Sequence, residues 1–341
     1  MSINWNKVFG VYLFLNADIS TLYASSLINR HWCQVVVQSL WAEPFSLLIT
    51  SWAARASINK HNRAERLIST YLACKENGAT FDYPVFLKKL DLLDVDFVVH
   101  ESSPEIHEHR IVKKALTDLL ATRCTGLTIL TIEEMSYSSD MCQCTSIDLF
   151  PTNGTFWTLT DFVYTYPLPK AKILNTMAAT CQSLKRLAIS LEPLVNGDNA
   201  LQDAVALARL LNKQTRLQTF ELARCSIGSE NVMRALCSQA GSLRHVTFIA
   251  IPFGRWKSLD ELATCNRLET LAFQACYGLS IEHVVSLTFP YLLSSWLTRL
   301  SFHLTPNRCQ MFLKFLHAIS TKRCMQSTLA GFHTTSTCHT S

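Results

Sequence analysis

Chemistry in this sequence would have to come from histidine and cysteine, so their spacing is the first question. His107-Glu108-His109, with His100 upstream, offers imidazoles in the number a metal would take. Two histidines at i and i+2 diverge on a helix, and no cysteine stands nearby at zinc spacing, so the group reads as a solvated loop. Cys142-Gln-Cys144 brings two thiols together but lacks the second pair that a zinc site or disulfide framework needs. There is no glycine-rich phosphate loop, no Gly-x-Ser-x-Gly turn and no His-Glu-x-x-His pair. The 10 glycines leave little from which to build a phosphate cradle. The sequence nominates no catalytic residue, no metal and no cofactor.

The other cysteines have a different spacing. Of the 13 in the chain, Cys124, Cys181 and Cys265 each precede a leucine by three residues, while Cys225 and Cys276 close a recurring phrase. Small thiols at repeat positions pack as core residues. The N-terminus shows no basic stretch leading into a cleavable apolar core, so the expected compartment is the reducing cytosol or nucleus. Asn153-Gly-Thr155 matches a glycosylation sequon that has no meaning there. The most apolar stretch, 284–302, is interrupted by Pro290 and Arg299 and is not expected to span a bilayer. The formal net charge is +5 with 17% charged residues, and the mean hydropathy is +0.14. The basic excess gathers at the two ends and the middle shows no continuous basic stripe, so neither nucleic acid nor membrane is an expected partner.

The elements that would position any site come from one phrase. Leu217-Gln-Thr-Phe220-Glu-Leu222-Ala-Arg-Cys225 reads apolar-x-x-apolar-x-apolar-x-x-Cys, and Leu268-Glu-Thr-Leu271-Ala-Phe273-Gln-Ala-Cys276 repeats it in full. Copies keeping the first six positions start at Leu87, Leu127, Leu159, Leu184, Leu243 and Leu297. Successive starts are 40, 32, 25, 33, 26, 25 and 29 residues apart. The last two apolar positions alternate, as on a strand with one buried face. Helical spacing follows some of them, as in Ser229 to Cys237, where Val232, Met233 and Leu236 share a side. A strand, a turn and a helix per copy is the unit of a leucine-rich repeat, here resembling the cysteine-containing type, and such units must stack to bury their apolar faces. Insertions are expected at 94–123, with a loop over His100 to His109 and a helix from Arg110 to Leu120, and again at Met135 to Thr155. A last helix is expected from Arg308 to Ile319.

Ahead of the repeats, Trp5, Val8, Phe9, Tyr12 and Leu13 recur at helical spacing. A second helix puts Leu22, Leu27 and Ile28 on one face, and after a polar turn at Asn29-Arg30-His31-Trp32 a third runs to Trp41. The run Leu27-Ile28-Asn29-Arg30-His31-Trp32-Cys33, with Trp41 and Pro44-Phe45 beyond it, resembles an F-box, especially the expanded F-box-like families of fungi. The Leu-Pro opening common in F-boxes is replaced by Ile3-Asn-Trp5, which makes this a degenerate copy. The resemblance implies binding to the Skp-type adaptor of a cullin–RING ubiquitin ligase through Leu22, Leu27, Ile28, Trp32 and Trp41, with the repeats holding a target protein.

The expected fold is therefore α/β: a leucine-rich-repeat solenoid of parallel strands and helices behind a small three-helix F-box-like module. The expected divisions are 1–45 for that module, 46–86 for a helical linker, 87–320 for the solenoid and 321–341 for a disordered tail. Residues between the repeat apolars point to the concave face, and Asp91, Thr131, Glu133, Glu221, Thr247, Gln274, Ser301 and His303 are the candidates for gripping a target. They converge on no titratable constellation that could do chemistry. The expected function is that of a non-catalytic substrate receptor of an SCF-type ligase. The alternative is a repeat scaffold that has lost adaptor binding.

Overall fold

The computed structural model describes residues 19–53, 60–74, 81–103, 105–133, 157–165, 170–191, 197–256, 259–279, 283 and 299–303. The expected first helix at Trp5 to Leu13, the thiol pair Cys142/Cys144, the insertion from Met135, the helix from Arg308 and the tail all lie outside these residues. The chain divides into two compact units, Met1–Tyr166 and Pro167–Ser341. Both are α/β with parallel strands, and each copy of the phrase supplies one strand.

In the first unit α1 (Ile19–Ser26), α2 (Arg30–Leu40), α3 (Pro44–Ala53) and α4 (Lys60–Ala73) precede a one-turn helix, α5 (Tyr83–Phe86). The expected module boundary at residue 45 falls inside α3, because Pro44 opens that helix at a position where its missing N–H costs nothing. Then β1 (Lys89–Asp91) leads directly into α6 (Leu92–Ser102), followed by α7 (Ile106–Arg123), β2 (Ile129–Ile132) and β3 (Asp161–Tyr164). The strands pair in parallel with Leu90, Leu130 and Phe162 in register. All three are buried, as the phrase requires.

The stretch expected as a loop, His100 to His109, is instead the end of α6 and the start of α7. Val95, Val98 and Val99 are buried at i, i+3 and i+4, and that apolar stripe carries α6 on to Ser102. The Ser103 hydroxyl then donates to the Glu108 carboxylate, a local bond that ties the turn to the next helix.

The second unit holds β4 (Arg186–Ser190), β5 (Thr219–Ala223), β6 (His245–Ile249), β7 (Thr270–Gln274) and β8 (Arg299–His303), all parallel and paired in that order. Leu187, Phe220, Val246, Leu271 and Leu300 share one register line. Helices α8 (Ala171–Thr180), α9 (Gly197–Lys213), α10 (Ser229–Leu236) and the short α11 (Asp260–Ala263) come between strands. The expected helix at Ser229 is present with Val232, Met233 and Leu236 buried. The core ends in an aromatic cluster, with Phe248 stacked on Phe273 at 5.6 Å between ring centroids and edge-on to Phe253 and Trp256. Each such buried ring contributes about 2–3 kcal/mol of transfer free energy.

Three non-glycine residues are left-handed at the eighth position of their copies: Arg224, Ala250 and Ala275, with φ of 54°, 53° and 50°. The conformation costs roughly 1–2 kcal/mol each. It turns the chain so that the ninth residue, Cys225, Ile251 or Cys276, enters the core. The strained N–H groups are used: Arg224 N donates to Ile249 O and Ala250 N to Gln274 O, both at 2.8 Å. Buried amides tie neighbouring copies in the same way. The Gln214 side chain donates to Cys181 O at 2.9 Å and accepts from Leu184 N at 3.1 Å, and Gln239 donates to Leu211 O at 2.8 Å. Gln214 takes the place, three residues before a phrase, that cysteine holds in other copies.

Candidate functional site

The N-terminal candidates separate by environment. Helix α1 ends at Ser26, and Leu27 and Ile28 form the turn that follows instead of continuing a helical face with Leu22. The turn is set by Asn29, whose side-chain Oδ1 accepts from Trp32 N at 3.0 Å and caps α2. An N-cap residue has extended backbone, so α1 cannot run on through it. Leu22 is buried, whereas Leu27 and Ile28 are 70% and 65% exposed. Trp32, in the first turn of α2, is half-buried.

Trp41, expected to face the adaptor, closes α2 and is half-buried, with its ring packed against two tyrosines. Its ring lies 4.0 Å from that of Tyr83 and 5.3 Å from that of Tyr71, centroid to centroid. Phe45 stacks on the same Tyr71 at 5.4 Å. Burial holds the Tyr71 phenol well above its usual pKa. The residue after Trp41 has a second task. The Ala42 carbonyl accepts from Lys88 N at 2.8 Å and Lys89 N at 3.0 Å, and Glu43 pairs with Lys89 at 3.4 Å. One step on, the Lys88 carbonyl accepts from Thr128 N and Ile129 N at 2.8 and 3.0 Å. Ala42 thus stands to β1 as Lys88 stands to β2, and supplies the bonds that a preceding strand would have supplied.

The expected target-gripping face also divides. In the first unit Asp91 is half-buried, and its side chain accepts from Leu93 N at 2.9 Å and caps α6. Burial pushes its carboxyl up, and the N–H groups of Leu93 and Asp94 pull it back. Thr131 is buried, which removes it from any open surface. Glu133, just past β2, is exposed. In the second unit Glu221, Thr247 and Gln274 are half-buried, with Glu221 opposite Thr247 in the ladder. Ser301 and His303 hold the register positions opposite Ala272 and Gln274. Ala188 and Ser190, at the β4 end, are buried.

Among the described residues, two histidine rings come close together. The His100 and His109 rings lie 5.2 Å apart, and His109 Nε2 sits 2.6 Å from Ser103 O. Among the described residues no cluster of three or more His, Cys, Asp or Glu side chains is placed to hold a metal. The eight described cysteines are free thiols. Burial pushes Cys225 up to about 12 and Cys124 and Cys265 up to about 11, which makes them poor nucleophiles. No helix among the described residues is long and apolar enough to cross a membrane.

What spacing alone missed is the carbonyl of Ala42 and the side chains spent on caps. Backbone acceptors leave no mark in a sequence. Asp91 directly before a helical stretch did carry a capping signal. No family model matches the chain, and a search of curated proteins finds no match.

Proposed function

We propose that this protein is a non-catalytic leucine-rich-repeat receptor that engages the Skp-type adaptor of an SCF-type ubiquitin ligase through its N-terminal helices and a target protein through its repeats. The observation that carries the reading is the Leu27-Ile28 pair. Two adjacent large aliphatic side chains stand in water on a turn fixed by the Asn29 cap. Burying such a pair against a partner is worth about 1.5–3 kcal/mol for each residue. Of the residues that the F-box resemblance nominates, Leu27 and Ile28 are exposed and Trp32 is half-buried in the first turn of α2, which supports assigning the adaptor contact to them. Leu22 is buried, and Trp41 packs on Tyr83 and Tyr71. Activity would come from proximity: a target held beside the charged ubiquitin carrier gains effective concentration without any chemistry in this chain.

The experiment is co-purification with the adaptor of the parent chain and of the Leu27→Ala, Ile28→Ala variant. Capture of the parent, lost in a variant that melts at the parent's temperature, supports the receptor. A well-folded parent that captures no adaptor overturns it. The second reading, a repeat scaffold whose N-terminal helices only cap the sheet, is favoured by the Ala42 carbonyl standing in for a preceding strand. It predicts no adaptor binding at all.

A further inference from the structure

The first three positions of the repeat phrase, and the residue before it, carry a recurring positive charge. In the second unit every copy from β4 to β7 places an exposed cation there: Lys185 and Arg186 before and at the start of β4, Arg216 before β5, Arg244 before β6 and Arg267 before β7. His245, half-buried, opens β6, and Arg299 takes the same register position in β8, opposite Thr270. One acid interrupts the strip: Glu269, which accepts from Arg244 Nη1 at 2.8 Å. Among the described residues Lys185, Arg186, Arg216 and Arg267 have no carboxylate within ion-pair distance.

The backbone under these cations is fixed. Gln218 N and Thr219 N both donate to Lys185 O, at 2.8 and 2.9 Å. Arg244 N and His245 N both donate to Gln218 O, at 2.8 and 2.9 Å, and Glu269 N and Thr270 N both donate to Arg244 O, at 2.7 and 2.9 Å. The same paired bond in three successive copies holds Lys185, Gln218, Arg244 and Glu269 on one line across strands about 4.8 Å apart, while Arg216 and Arg267 stand two residues upstream of that line, so the cations alternate between two staggered rows over roughly 15 Å from β4 to β7. Four unpaired cations held at such spacing repel one another, and the repulsion is relieved when a partner brings the opposite sign.

We propose that this strip is a docking site for an acidic polypeptide segment, a run of Asp or Glu in extended conformation. The inference rests on the reading of this chain as a protein that grips another protein, and it gives that target a chemistry. An extended chain advances about 3.3 Å per residue, so about five residues span the strip. The side chains between the cations are amides and hydroxyls, Gln182, Thr215, Gln218 and Asn266, all exposed. The amides can donate to carboxylates, the Thr215 hydroxyl already donates to Gln182 O at 3.1 Å, and none of the four gives nucleobases a ring to stack on. Glu269 within the strip also opposes a continuous phosphate backbone.

The test measures fluorescence anisotropy of a labelled peptide of alternating glutamate and glycine against the full chain. The expected result is binding that weakens as salt is added. Binding should fall at least tenfold in Lys185→Glu, Arg186→Glu, Arg216→Glu and by a smaller factor in the matching glutamine variant, which covers the case in which charge reversal disturbs folding. Arg234→Glu, at an exposed position in the last turn of α10, should bind as the parent does. No binding by the folded parent overturns the proposal. Equal loss in the Arg234 variant, or tighter binding of a single-stranded RNA than of the peptide, overturns it as well. The assay contains no adaptor, so its failure leaves the receptor reading standing, and failed adaptor capture leaves this strip standing.

Discussion

Asp94 shows how much one side chain depends on neighbours that spacing does not reveal. It lies in the first turn of α6, where a carboxylate suits the helix dipole. Burial and the nearby charge of Asp91 raise its pKa to about 6, with Glu43 adding to the rise and Lys89 and a Ser46 hydrogen bond opposing it. In the unfolded chain an aspartate titrates at about 3.9. Folding therefore takes up a proton between about pH 4 and about pH 6. The stability from this group is full below pH 4 and is lost as pH rises through about 6. Asp94→Asn removes the ionisation while keeping an acceptor for Ser46. At pH 7.5 the variant should be more stable than the parent by about 1 kcal/mol, a figure kept small because solvent screens a half-exposed carboxylate. Urea denaturation across the range should show the two chains converging on acidification through pH 6. A gap that stays constant with pH would mean that Asp94 does not titrate in this way.

At the scale of elements, α2 and the turn before it assign opposite roles to residues that the F-box resemblance grouped together. Leu27 and Ile28 are in water, while the Trp41 ring lies against Tyr83 and Tyr71. Trp41→Ala should cost about 3 kcal/mol in chemical denaturation, the scale of a large-to-small change at a packed aromatic. Leu27→Ala with Ile28→Ala should fall within about 0.5 kcal/mol of the parent. The strands were legible because the phrase encodes a period of two, and Leu90, Phe162, Phe220 and Leu271 are buried where it put them. The opposite face was not legible. Whether Thr131 is buried depends on what packs over β2, which no local pattern records, whereas the Asp91 cap left a signal in an aspartate directly before a helical stretch. The valines of α6 carry helical spacing, but the polar residues from His100 to His109 have no apolar period to show that helix continues on both sides of Ser103. Leu22, Leu27 and Ile28 share one helical face only if α1 runs through Ile28, whereas it ends at Ser26 and the next two residues form the turn into the Asn29 cap.

For the molecule as a whole, the first strand poses the question that every open sheet poses, namely what occupies its edge. Unpaired edge N–H groups recruit strands from other chains. Here the edge groups of Lys88 and Lys89 are taken by Ala42, so the N-terminal helices protect the sheet whether or not they also bind an adaptor. Deleting residues 1–53 should free that edge, and the shortened chain should elute from a sizing column as a larger, concentration-dependent species than the parent. The deletion also uncovers the ring of Tyr71, which Trp41 and Phe45 contact, so apolar adhesion has to be separated from strand pairing. Proline separates them, because it is tolerated on an edge strand and removes the donor there. Lys89→Pro in the shortened chain should reduce the association if the edge drives it and leave it unchanged if Tyr71 does. The full-length Leu27→Ala, Ile28→Ala variant keeps Ala42 in place and should elute with the parent. If the shortened chain elutes no earlier than the parent, the bonds to Ala42 are incidental to solubility, and the exposed leucine–isoleucine turn becomes the main reason for the N-terminal helices to exist.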